Sequence, residues 1–186
     1  PEAGWSAKEL EAVKKLWSLF LYSPVKKVAH NLAFELEWSA FFFGEELLLK
    51  RCWEDTFTQA FTIDERSGQK RGGAGPLSLE FLVQQYFGFN LKKLFGVDRK
   101  NLENTPLETV LVYNAPDARY AALLYKMQAQ VLEERGLEVP YELALRSIPA
   151  VVAMQLRGLP VDQKEVARLS AKYEKEFAKT HDEIVK

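Results

Sequence analysis

The chain has 186 residues, which suits one domain, or one domain and part of another. A hydrophobic share of 47%, with 12% aromatic residues, is ample for a packed core, and 27% charged residues with few Gly or Pro excludes a disordered chain. The formal net charge of −1 gives no global cationic field to draw in a polyanion.

The sequence opens at Pro1 without an initiator Met and without a signal-peptide pattern, so it reads as an excerpt from a longer chain. Ser6-Ala-Lys-Glu9 is a capping box, and Leu10, Val13, Leu16, Trp17, Phe20 and Leu21 follow at helical spacing. That helix should stop near Ser23-Pro24, since the residue before Pro avoids helical angles. Val25 to His30 reads as a short strand. A second helix is expected from Leu32 to Phe43, with Phe34, Trp38, Phe41 and Phe42 as its core stripe and Gly44 as its C-cap. The apolar run Trp38 to Phe43 is far too short to span a membrane.

Leu47 to Trp53 reads as a second strand. It carries Cys52, the one cysteine, which excludes an intramolecular disulfide or a cysteine-built zinc site and fits a reducing, intracellular compartment. Asp55-Thr56 begins a helix to about Ile63. Residues 65–76 form a cationic, glycine-rich loop with Arg66, Lys70 and Arg71. Ser78 opens a helix through Phe87 that Gly88 closes. Residues 89–104 read as irregular and carry Lys92, Lys93, Arg99 and Lys100.

Thr105-Pro106 starts a helix to about Tyr113, because Pro suits the first helical position. A separate long helix is expected from about Pro116 to Arg135, ended by Gly136. A further helix covers about Tyr141 to Arg157, Leu159 to Val161 is an extended link, and Asp162-Gln-Lys-Glu165 is a second capping box before the last helix. The pattern predicts a helix-rich α/β fold with a partial sheet.

Two places in this pattern carry chemistry. His30-Asn31 sits at a strand exit and Glu35 follows just inside the outgoing helix, a usual position for α/β active sites. Tyr113 and Asp117 are four apart and share a face if the backbone stays helical between them. Phosphodiester hydrolysis by two divalent ions, about 3.5–4 Å apart, needs converging carboxylates. Magnesium takes oxygen ligands and keeps several waters, so Asp, Glu and polar neighbours suffice. Taken singly, each residue also has an ordinary reading. Glu35 would be a solvated helix face, Asp117 a dipole partner at a helix start, Tyr113 core, Asn31 a cap or turn residue and His30 a satisfied strand-end histidine. Spacing alone leaves both readings open.

His-Asn-Leu-Ala-Phe-Glu at 30–35 resembles the second exonuclease motif of family A DNA polymerases, the bacterial DNA polymerase I type. Tyr-Asn-Ala-Pro-Asp at 113–117 resembles the third motif of the tyrosine-bearing branch of the DEDD exonucleases. Asp55-Thr56, the helix 77–88 and the Ile-Pro-Ala-Val-Val-Ala-Met-Gln-Leu-Arg-Gly-Leu-Pro-Val-Asp stretch at 148–162 resemble that family in the same order. The resemblance covers about residues 6 to 175. It implies a ribonuclease H-like exonuclease fold over residues 1–137 that lacks its first strands, and a helical start of a polymerase domain over residues 138–186.

The activity implied is 3′–5′ proofreading with magnesium or manganese, acting on a single-stranded 3′ end or primer–template DNA. The resemblance gives metal contacts to Asp117 and Glu35, water orientation to Tyr113 and the terminal nucleotide to Asn31. Arg66, Lys70 and Arg71 are expected to track DNA phosphates. Two departures stand out. Glu35 replaces the Asp usual in the second motif, and no Asp-x-Glu, the first motif, occurs in the chain. The two-metal site is therefore expected to be incomplete in this chain, which alone should be inactive or serve as a DNA-holding scaffold.

Overall fold

The computed structural model describes residues 6–65, 75–91 and 104–184. Arg66, Lys70 and Arg71, with Lys92, Lys93, Arg99 and Lys100, lie outside the described residues. The chain divides into two units, Pro1–Leu156 and Arg157–Lys186.

In the first unit, helix α1 spans Ala7–Tyr22 and begins on the expected box. The Ser6 hydroxyl accepts from the Glu9 N–H, and the Ser6 N–H donates to the Glu9 carboxylate at 2.8 Å. Strand β1 (Lys27–Ala29) is followed by helix α2 (Leu32–Phe43), strand β2 (Trp53–Asp55) and helix α3 (Thr56–Ile63). The two strands pair in parallel with Val28 opposite Glu54, and α2 makes the crossover that a parallel pair requires. Helices α4 (Leu79–Phe87), α5 (Leu107–Arg135) and α6 (Glu138–Arg157) complete the unit. The result is a helix-rich α/β arrangement with a small sheet.

Two apolar clusters hold these elements together. Ala29 of β1 and Leu32, Leu36 and Ala40 of α2 pack with Leu48 and with Val152 of α6, while Leu145, Ile148 and Leu156 close the α6 side. The other cluster joins Ala60 of α3, Leu77 just before α4, Leu82 and Val83 of α4, Leu91, and Leu124 of α5. The strand ends and the first turns of α2 and α3 are thereby fixed against long helices.

Three expectations are overturned. The aromatic stripe of α2 is not core: Trp38 is 49% and Phe41 69% exposed, while Leu36 is 1% and Ala40 3%. Leu32, Leu36 and Ala40 repeat with the same helical period as Phe34, Trp38 and Phe42, so periodicity cannot choose between the faces. Leu47 to Trp53 is not one strand. Glu45–Leu49 forms a short 3₁₀ helix that buries Leu47 and Leu48 side by side, and the strand is only Trp53–Asp55. Consecutive leucines never carried the alternation of a half-buried strand.

The two helices expected around Pro116 are one continuous helix, α5. Proline removes the bond to the carbonyl of residue 112 and disfavours a helical residue before it. The buried stripe of Tyr113, Ala121, Leu124, Gln128 and Leu132 runs through the proline and outweighs that loss. Asp117, half-buried, falls in the same stripe.

The second unit is helix α7 (Gln163–Ile184). The Asp162 carboxylate accepts from the Lys164 and Glu165 N–H groups, but Glu165 pairs with Arg168 instead of closing the box. Lys172–Glu176 and Lys179–Glu183 add ion pairs at i,i+4, of the kind worth a few tenths of a kcal/mol. Among the described residues, no helix is long and apolar enough to cross a membrane.

Candidate functional site

Strand β1 delivers His30 and Asn31 to the start of α2. Asn31 has φ 72 and ψ 60, the left-handed region that Asn tolerates better than most residues. Its side chain makes no capping bond. The capping group comes from the neighbouring strand: Asp55, at the end of β2 and 2% exposed. One carboxylate oxygen of Asp55 accepts from the N–H groups of Asn31 (2.8 Å), Leu32 (3.2 Å) and Phe57 (3.2 Å). The other accepts from the Thr58 N–H (3.2 Å) and hydroxyl (2.6 Å). One buried charge thus caps α2 and α3 together, which favours negative charge at both helix starts.

His30 lies beside this cap, with Nδ1 2.9 Å from the Thr56 hydroxyl, which also donates to the Ala29 carbonyl. Burial pushes the His30 pKa down, against the opposing pull of Asp55 and the Leu77 carbonyl. Burial thus favours the neutral imidazole, and His30 also lines the cavity that faces α5. Tyr141 of α6 completes the second layer: its phenol accepts from the Asp55 N–H at 3.1 Å and donates to Glu54 at 2.8 Å. Lys26 pairs with Glu54 at 2.9 Å and donates to the Tyr125 hydroxyl of α5 at 3.0 Å.

The opposite wall is α5. Because that helix is unbroken, Tyr113 and Asp117 project from one face, and Tyr113 is buried. Asn31 and Glu35 from the α2 side and Tyr113 and Asp117 from α5 line one cavity of about 1020 Å³. Trp17, Phe20, Phe34 and Phe57 give it apolar walls. Those walls strip water from the Glu35 carboxyl, although the residue is open to solvent overall, and raise its pKa above the ordinary carboxylate value.

Glu80 of α4 also lines the cavity, as does Lys27, which is 3% exposed. The Lys27 ammonium donates to the Ser23 and Val25 carbonyls at 2.8 and 2.9 Å and lies 3.4 Å from the Cys52 sulfur. The rings of Phe20 and Trp53 flank it at 5.3 and 5.6 Å. The ammonium is thus held by backbone carbonyls and ring faces at the edge of the site.

A pair of divalent ions needs several oxygen donors converging within a few ångströms. Glu35, Glu80 and Asp117 share the cavity, yet among the described residues no three His, Cys, Asp or Glu side chains group closely enough to hold a metal ion. These residues alone do not fit a two-ion centre.

Sequence reasoning missed Asp55 as a shared cap, Lys27 as a buried cation and Glu80 as a lining carboxylate. Asp55-Thr56 signalled the start of α3, but nothing local could show that the same carboxylate reaches α2. Lys27 stands beside Lys26, which is exposed, so nothing local marked it as the buried one of the two. Glu80 has the ordinary look of an acidic residue in a first helical turn.

A family model for 3′–5′ exonucleases of the DNA polymerase A type matches residues 5–133, a span that contains Asn31, Glu35, Tyr113 and Asp117. DNA polymerase DpoZ of Vibrio phage phiVC8 is 31% identical over 153 residues, covering 73% of this chain and 24% of that protein. DNA polymerase I of Rhizobium leguminosarum is 28% identical over 183 residues, covering 94% of this chain and 17% of that protein. The chain spans about a quarter or less of these relatives.

Proposed function

This chain belongs to the 3′–5′ exonuclease family, and we propose that it forms the proofreading part of a DNA polymerase I-like enzyme. In this reading residues 1–137 are the exonuclease part, and residues 138–186 lead into a helical polymerase domain. The partners are a single-stranded 3′ end, primer–template DNA and the remainder of the polymerase chain.

The observation that supports the reading most is the convergence of Asn31, Glu35, Tyr113 and Asp117 on one cavity from elements far apart in sequence. The reaction is hydrolysis of the last phosphodiester. A water oxygen bonds to phosphorus, the bond to the 3′ oxygen of the preceding nucleotide breaks, and a nucleoside 5′-monophosphate leaves. Asn31 sits beside the terminal nucleotide, and the Tyr113 phenol orients the attacking water. With further carboxylates from outside this segment, Asp117 would hold a divalent ion directly, and Glu35 would do so directly or through water. When bound, magnesium or manganese would acidify the water and offset charge on the phosphate.

One observation favours a second reading, a non-catalytic domain that holds DNA for a polymerase. The donor set falls short of a metal-binding group among the described residues.

The test uses single-stranded DNA labelled at the 3′ or the 5′ end, incubated with magnesium and the polymerase containing this segment. The proofreading reading expects chelator-sensitive release of the 3′ label as mononucleotide before any 5′ label. Binding without release favours the scaffold. Residues 1–186 alone are expected to release little even in manganese, and robust release by them would contradict the reading of an incomplete metal site.

A further inference from the structure

We propose that Asp55 is a positioning residue for the cavity, acting through Asn31 and the first turn of α2; the proposal rests on the reading of Asn31 and Glu35 as site residues. Capping α3 would need only the Phe57 and Thr58 bonds, and a serine could supply one of those. The Asp55 carboxylate instead reaches across the parallel pair and takes its shortest backbone contact, 2.8 Å, from the Asn31 N–H.

That bond engages the only non-glycine residue with positive φ among the described residues. A left-handed residue holds its conformation only where its surroundings enforce it. Here the enforcing group is a buried charge with five donors, and Asn31 has no capping bond of its own. The bonds leave the Asn31 side chain available to the cavity and fix the turn from which Glu35 projects.

Asp55 is itself anchored. Its N–H donates to the Tyr141 phenol of α6, and its strand is registered against β1 with Ala29 opposite Asp55.

Asp55→Ser separates positioning from simple capping. Serine can still accept from the Thr58 N–H, but its short side chain cannot span to α2. Amide hydrogen exchange by NMR on the 186-residue chain reads the result. Exchange at Asn31 and Leu32 should accelerate about tenfold or more, as loss of a charge-assisted bond implies. Thr58 should stay close to its original rate.

Asp55→Asn, equal in volume, serves as the second variant if serine loosens the fold. Its amide oxygen takes the place of the carboxylate oxygen that faces the Asn31, Leu32 and Phe57 N–H groups, and its NH₂ can donate to the Thr58 hydroxyl, so the Thr58 N–H should accelerate more than Asn31. Unchanged exchange at Asn31 in Asp55→Ser, or equal acceleration at Asn31 and Thr58 in both variants, overturns the proposal. In the nuclease assay on the polymerase containing this segment, Asp55→Ser should lower kcat with little change in KM. A parent protein that releases no 3′ nucleotide sinks the functional reading, while the exchange rates still decide the role of Asp55.

Discussion

Replacing Leu36 by Ala and, separately, Phe42 by Ser tests which face of α2 is core. Leu36 is 1% exposed and packs in the cluster that joins α2 to Val152 of α6. Truncating a leucine in such a setting costs about 2–5 kcal/mol, and the close packing on both sides puts the expected loss at about 3 kcal/mol. For a chain of this size each kcal/mol shifts Tm by about 2–4 °C, so the melting point should fall by about 6–12 °C. Phe42 is 63% exposed, and only the remaining third of its surface is buried. A third of the roughly 1.5–3 kcal/mol for full burial gives about 0.5–1 kcal/mol. Its stacking on Trp38, with centroids 5.8 Å apart at the surface, places Phe42→Ser at the upper end of that range. Urea and thermal unfolding followed by circular dichroism measure both variants. If Phe42→Ser costs as much as Leu36→Ala, the aromatic face is buried and the position of Glu35 on α2 must be revised.

Glu35→Gln should raise Tm at pH 7–8 and lose that advantage near pH 4. The folded pKa of Glu35 is raised, so its ionisation opposes folding as pH climbs from the ordinary carboxylate value through the raised one, and below both values the side chain is neutral either way. Melts across that pH series check the sign; a destabilised Gln variant at pH 7 would mean that the Glu35 charge is compensated. Replacing Arg66, Lys70 and Arg71 together by Ser should weaken single-strand binding across sequences and flatten the salt slope by about two units, at about 0.7 per phosphate contact. A slope untouched by the triple change would leave these residues as ordinary solvated surface.

The elements with local signals were legible. Ser6 and Glu9 mark the start of α1, Gly44 and Gly88 close α2 and α4, and Asp55 opens α3. What the sequence could not resolve depends on packing against distant elements. Both faces of α2 are apolar, and packing against Ala29, Leu48 and Val152, the last more than a hundred positions away, selects the Leu32, Leu36 and Ala40 side. The proline at 116 gives a strong local signal for a break, and the Tyr113-to-Leu132 stripe overrides it. Tyr113 and Asp117 were legible as an i,i+4 pair, but the unbroken helix that puts them on one face was not. The double cap by Asp55 joins the end of β2 to the starts of α2 and α3, so no single window contains it.

The most direct test of the proposed site is Asp117→Asn in the polymerase that contains this segment. The substitution keeps the shape and removes the negative charge from the α5 wall of the cavity, far in sequence from residues 138–186. Release of 3′-terminal nucleotides from single-stranded DNA in magnesium is measured beside primer extension on the same preparation. The account predicts that release falls to background while extension stays near its original rate. Release that persists unchanged, or release and extension lost together, would contradict it: the first outcome removes Asp117 from the site, and the second makes it a folding residue of the helix.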